Sequence, residues 1–129
     1  MKLNTIDTWH QLLQTRNTDD LDQLLSDRVV FYSPVTYAPQ AGKIITTVYL
    51  TAALAVFINE SFHYVRQIIS DNDAALEFEV EIDGILVNGV DMIKWDDEGK
   101  ITEFKVIIRP LKAINLIHQK MGQLLQAAG

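Results

Sequence analysis

The sequence predicts an α+β fold in which helices pack on one face of a curved antiparallel sheet. Apolar residues recur at helical spacing near both ends of the chain, over residues 5–16 and again from Leu111 onward. Between His63 and Arg109 lie four long β-rich runs separated only by turn chemistry: Asp71-Asn72-Asp73, Asp83-Gly84 and Asp96-Asp97-Glu98-Gly99. Links this short join antiparallel neighbours, because a parallel crossover needs about a dozen residues or more.

The elements follow in order. In residues 5–16, Ile6, Trp9, Leu12 and Leu13 form an apolar helical stripe, with Thr5 or Asp7 placed to accept from the free amides of the first turn. Thr18-Asp19-Asp20 starts a second, short helix through Leu21, Leu24 and Leu25. Residues 29–33 are β-branched and aromatic and stop at Pro34, which predicts the first strand. Pro39 and Gly42 mark residues 35–42 as an irregular loop or short hairpin. Residues 43–59 hold many β-branched side chains, yet Ile45, Val48, Tyr49, Ala52 and Val56 match helical spacing over a length strands rarely reach, so a helix is expected. Four strands follow over residues 63–70, 74–83, 85–96 and 100–109. A last helix has Pro110 at its start, Ile114, Ile117, Met121, Leu124 and Leu125 on one face, and Gly129 at its end.

Composition bounds the function. The chain has 129 residues, 48% hydrophobic and 22% charged, the balance of one soluble domain spanning 1–129. Folding at this size buries roughly two thirds of the unfolded surface, enough for one core. The longest nearly apolar run, residues 49–58, falls short of the ~20 residues of a membrane span, and the first residues lack the apolar stretch of a secretory signal. No membrane partner is expected. The absence of cysteine excludes disulfides, thiol catalysis and thiolate metal sites and fits a cytoplasmic protein. The net charge of -6 is uneven: residues 67–103 hold two basic against eleven acidic side chains, whereas residues 104–129 hold four basic and none acidic. Lys105, Arg109, Lys112 and Lys120 lie scattered without interleaved aromatics, so no nucleic-acid partner is expected.

Alternation assigns faces to the strands. Leu76, Phe78, Val80 and Ile82 point inward and leave Glu77, Glu79, Glu81 and Asp83 outside; Phe104, Val106 and Ile108 point inward in the last strand. The carboxylate stripe reads as a solvated or dimer-facing surface paired with Arg66, Lys94, Lys105 and Arg109. In the third strand Asp91 shares its side with Val87, Gly89 and Ile93. An ionised carboxylate among apolar neighbours is costly. Asp91 is therefore hydrogen-bonded, paired with Arg66 or Arg109, or held neutral, and it is the leading site candidate. His63 at a strand start is placed for a pocket mouth, where its ordinary titration range suits proton transfer. His10 and His118 have no partner at metal-ligand spacing, and the chain has no glycine-rich phosphate loop or nucleophile elbow, so no metal or organic cofactor is expected.

The stretch from Gly89 to Ile101, with Ser33-Pro34-Val35 upstream and Arg109-Pro110-Leu111 downstream, resembles the nuclear-transport-factor-like superfamily, in particular its ketosteroid-isomerase-like and SnoaL-like polyketide-cyclase branches. The resemblance implies a cone of helices packed on a strongly curved, mainly antiparallel sheet enclosing an apolar pocket, usually in a homodimer. Asp91 matches the ketosteroid isomerase acid that donates to an oxyanion. The position of the catalytic base is Ser33, whose hydroxyl is far too weak to take a proton from carbon unaided, and the position of the helical tyrosine is Trp9. The cyclase branch implies a single pocket acid, which Asp91 supplies, with His63, Tyr32 or Tyr64 as polar partners. The epoxide-hydrolase-like branch needs a second pocket carboxylate that the sequence does not place.

These readings make Asp91 and His63 the expected catalytic residues and Trp9, Tyr32, Ser33, Phe78, Val106 and Ile108 the expected pocket lining. The expected function is acid/base isomerase, lyase or cyclase chemistry on an apolar small molecule, or else non-catalytic ligand binding or dimerisation, with a homodimer formed through the outer sheet face.

Overall fold

A computed structural model describes residues 4–128; the expectations resting on residues 1–3 and on Gly129 lie outside the described residues. The elements are α1 (Thr5–Thr15), a 3-10 turn (Thr18–Asp20) leading into α2 (Leu21–Leu24), β1 (Leu25–Tyr32), β2 (Gln40–Ala41), α3 (Lys43–Phe57), β3 (His63–Ile69), β4 (Asp73–Ile82), β5 (Ile85–Trp95), β6 (Ile101–Arg109) and α4 (Leu111–Ala128). The fold is α+β, as expected.

The six strands form one sheet in the order β2-β1-β6-β5-β4-β3. Strands β3 to β6 make the expected antiparallel meander, but β1 runs parallel to β6. The parallel pair arises because the chain leaves β1, crosses through α3 to the far edge at β3, and zigzags back until β6 meets β1. Register shifts interrupt the ladders between Tyr64 and Arg66 and between Lys94 and Trp95. Such irregularities bend a sheet and add twist.

Several local details differ from expectation. The α1 cap is Asn4, whose side-chain oxygen accepts from the Ile6 amide at 3.0 Å; Thr5 is buried and donates to the Gly99 carbonyl at 2.8 Å. β1 begins at Leu25, four residues before the expected start. In α3 the buried positions are Thr46, Leu50, Ala52 and Phe57, whereas Val48 is exposed. That helix is apolar nearly all round, so its composition defines no unique stripe.

Phe31, Phe78 and Phe104 anchor the core, and the inward residues of β4 and β6 are buried as alternation requires. On the outer face the carboxylates find fewer partners than expected. Arg66 lies 3.5 Å from Glu77, while Asp83 meets Lys120 of α4 at 2.9 Å. Lys94, Lys105 and Arg109 form no ion pair with the stripe among the described residues: Lys94 lies on neighbouring β5 but opposite Asp73, at the far end of β4 from the stripe, and Lys105 and Arg109 lie on β6, one strand beyond.

Gly89 explains how Phe78 reaches its place. The two residues are cross-strand partners, and a methyl group at Gly89 would lie 2.3 Å from the Phe78 ring and 2.8 Å from the Ile107 carbonyl oxygen. The ring can tilt, but the carbonyl belongs to the β6 backbone and cannot. Gly89→Ala is expected to destabilise the fold by about 1–3 kcal/mol, the usual cost of overpacking. Urea unfolding checks this; an unchanged midpoint would contradict it.

Candidate functional site

Between the inner sheet face and helices α1 and α3 lies a small apolar cavity of about 40 Å³. Trp9 and Leu13 close it from α1; Leu50, Ala53, Leu54 and Phe57 close it from α3, with Ile58 at that helix's C-terminal end. Phe62, Tyr64, Phe78, Phe104 and Val106 complete the wall on the sheet side, with Asp91 among them. Every wall residue except Tyr64 and Asp91 presents carbon or, for Trp9, a single N–H.

Asp91 is buried, with 7% of its surface exposed. Strand alternation puts it inward, between Leu76 and Val106 on the neighbouring strands. The expected arginine partners are absent. Instead the Tyr64 hydroxyl donates to Asp91 Oδ2 at 2.7 Å, and Trp9 Nε1 donates to the Tyr64 oxygen at 2.9 Å. An indole N–H only donates, so the direction of the chain is set: Trp9 to Tyr64 to Asp91. The carboxyl's Oδ1 has no protein partner among the described residues.

The irregularity in β3 builds this chain. Tyr64 pairs with Phe78 and Gln67 with Leu76, so both lie on the inner side, while Arg66 opposes Glu77 outside. Strict alternation would have put Arg66 on the same side as Tyr64, where its cation would have favoured the ionised form of Asp91.

Burial in apolar surroundings raises the Asp91 pKa from the ordinary carboxylate range to about 7, and the Tyr64 hydrogen bond, which favours the ionised form, opposes that rise. Burial and the nearby Asp91 charge hold the Tyr64 phenol well above its usual range. Near neutral pH the carboxyl is thus able both to take and to give a proton, while the phenol remains a donor.

Trp9, Phe78 and Val106 stand on the cavity wall. Tyr32, Ser33, Ile108 and His63 do not. Tyr32 follows inward-facing Phe31 and so points outward, with Lys105 Nζ 4.9 Å from its ring centroid. The Ser33 hydroxyl accepts from the Val35 amide at 3.2 Å, and Ile108 is buried away from the cavity. The His63 side chain is 60% exposed; its Nδ1 donates to the Ser61 carbonyl at 2.8 Å and its Nε2 lies 3.8 Å from Glu79. These positions correct the expectation that Ile108 and one of Tyr32 and Ser33 line the cavity and that His63 stands at its mouth.

The expected lining omitted the α3 residues, although Leu50, Leu54 and Phe57 follow helical spacing themselves. It also omitted Phe62, which precedes β3 and belongs to no periodic pattern. Among the described residues no cluster of His, Asp and Glu is arranged to hold a metal ion, and no helix is long and apolar enough to cross a membrane.

The family model for the SnoaL-like domain matches residues 6–104. Among solved structures, a steroid delta-isomerase from Pseudomonas aeruginosa is 33% identical and superposes with a TM-score of 0.90, covering 96% of this chain and 90% of that one. A protein with a cystatin-like fold from Silicibacter pomeroyi is 27% identical, with a TM-score of 0.84 over 92% of this chain and 83% of that one. An NTF2-like protein from Mesorhizobium loti, 18% identical with a TM-score of 0.70 over 82% and 88% of the two chains, shares the fold. None of the curated proteins matches the chain.

The raised Asp91 pKa has a thermodynamic consequence. Unfolded Asp91 titrates near its ordinary value of 3.8, whereas folded Asp91 titrates at about 7. Between these values the folded protein binds more protons than the unfolded one, so stability falls as pH rises and levels off above the folded pKa. Urea unfolding is expected to show wild type losing on the order of 2–3 kcal/mol relative to Asp91→Asn between pH 5 and pH 8. Parallel pH profiles for the two proteins would contradict this.

Proposed function

The chain belongs to the SnoaL-like domain family, and we propose that it is an acid/base isomerase, lyase or cyclase that moves a proton on an apolar carbonyl compound held against Asp91. The supporting observation is one carboxyl in an apolar cavity, with its pKa at about 7 and one oxygen without a protein partner among the described residues. Folds of this kind commonly include isomerases and cyclases, but the chemistry has to be argued from the site.

A base of this strength removes a proton only from an activated carbon, such as one next to a carbonyl. Ionised Asp91 takes that proton, the C–H electron pair delocalises onto the carbonyl oxygen, and the carboxyl becomes neutral. Neutral Asp91 no longer holds the phenol hydrogen as strongly, so Tyr64 is freed to donate to the developing oxyanion. In an isomerisation Asp91 then returns the proton to a different carbon, and in a cyclisation the enolate carbon attacks a second carbonyl, whose oxygen receives it. This division of labour dispenses with a base at Ser33 and leaves His63 no step to perform.

A non-catalytic ligand-binding or dimerisation domain is the second reading, and its dimerisation form is favoured by a cavity of about 40 Å³, far smaller than the roughly 300–1,000 Å³ of a ligand pocket. Either reading accommodates a homodimer through the outer sheet face, where Ile68, Met92 and Ile107 are exposed beside acidic β4 and basic β6. A two-fold partner lays each charged strand near its complement.

Cyclohex-3-enone tests the chemistry at small scale, since its conversion to the conjugated enone moves one proton from C2 to C4 and is read by ultraviolet absorbance. Wild type is expected to accelerate the shift and Asp91→Asn to lower that rate by about 10²–10⁴-fold, the usual worth of a positioned acid/base. Equal rates with the two proteins, or no acceleration by wild type, would sink the proposal. For the dimer, Ile107→Glu is expected to yield monomers in sedimentation equilibrium where wild type sediments as a dimer. A wild-type monomer would refute that part.

A further inference from the structure

A cavity of about 40 Å³ is far below the roughly 300–1,000 Å³ of a working ligand pocket, so the space above Asp91 is not by itself a binding site. Room exists next to it. A groove of about 420 Å³ lies on the outside of Leu13, Ile58, Phe62 and Tyr64, the same four residues that wall the cavity from within. Phe62 is the side chain best placed to join the two. It is partly buried, stacks on Phe78 with centroids 5.3 Å apart and meets Tyr64 edge-on at 5.2 Å. Its backbone, by contrast, is fastened. The Phe62 amide donates to the Asn59 carbonyl at 3.1 Å, Asn59 Oδ1 accepts from the Ser61 amide at 2.7 Å, and Asn59 Nδ2 donates to the Glu81 carbonyl at 2.9 Å. Opening therefore needs rotation of one side chain rather than release of a loop.

The groove has its own chemistry. His10, Gln14, Asn59, His63 and Gln67 supply its polar surface, and no Lys, Arg, Asp or Glu lines it among the described residues. His10 Nε2 donates to Gln67 Oε1 at 2.8 Å, tying α1 to β3 at its rim, and His63 is already engaged with Ser61 and faces Glu79. Such a surface offers hydrogen bonds to an uncharged group. It offers no Lys or Arg among the described residues to a phosphate or carboxylate.

We infer that Phe62 is a plug between two halves of one binding site, whose outer groove holds the uncharged polar end of an elongated ligand while the ligand's apolar end displaces Phe62 to reach Asp91. The inference rests on the reading of the cavity as a ligand site and adds the ligand's shape, its polarity and the residue that sets its size limit.

Calorimetric titration with 6-phenylhexan-1-ol and with 6-phenylhexanoate, equal in reach and different only at the outer end, tests it. The alcohol is expected to bind wild type at least about tenfold more tightly than the carboxylate, a difference of ~1.4 kcal/mol. Phe62→Trp is expected to weaken the alcohol about tenfold or more, and Phe62→Ala to bind it no more weakly than wild type. Phe62→Leu, which keeps an apolar contact on Phe78, replaces Phe62→Ala if thermal unfolding shows that variant misfolded. Unchanged affinity in Phe62→Trp, equal affinity for the two probes, or no binding to wild type and the smaller variants alike would overturn the inference. The Phe62 dependence is expected to persist in Asp91→Asn, so loss of the proton-transfer reading and loss of this one are separate results.

Discussion

The hydrogen bond from Tyr64 to Asp91, made inside an apolar cavity, is the interaction on which the rest of the site depends. A carboxyl with no partner there would remain protonated well beyond neutral pH, and one paired with arginine would remain ionised; neither state exchanges protons readily at pH 7. A single neutral donor at 2.7 Å lies between these limits. It partly offsets the cost of burial and leaves the carboxyl able to exist in either form. Trp9 reinforces the balance by occupying the phenol oxygen, so that the Tyr64 proton is directed at Asp91 alone.

The sheet supplies the geometry. One irregularity in β3 turns Tyr64 inward and Arg66 outward, which keeps a cation away from the carboxyl. Gly89, two residues before Asp91 on the same face, lets the Phe78 ring lie against the β5 backbone. Phe78 in turn supports Phe57 edge-on and Phe62 face-on, and these aromatics form apolar walls around the carboxyl. A substitution at Gly89 or in the β3 irregularity thus acts on the site without touching it.

Much of this was legible in the sequence, and the exceptions have physical causes. Alternation placed Asp91, Phe78 and Val106 because β4, β5 and β6 are long, regular and paired on both sides along most of their length. Alternation did not place Tyr64, because β3 changes register within the stretch that mattered. It also gave no reason for Tyr32 and Ser33 to share a pocket, since consecutive strand residues point opposite ways. The α3 wall was obscured by a helix apolar on nearly every side, where several stripes fit equally well. Phe62 had no periodic signal at all. The parallel pairing of β1 with β6 depends on where a long crossover returns, which turn chemistry does not encode.

The most direct measurement is a ¹³C NMR titration of the Asp91 side-chain carboxyl, assigned by loss of its signal in Asp91→Asn. A midpoint at about 7 is expected, moving upward in Tyr64→Phe, where the donor that favours ionisation is gone. A midpoint in the ordinary range near 4, unaffected by Tyr64→Phe, would contradict the picture of a buried carboxyl poised between its two forms.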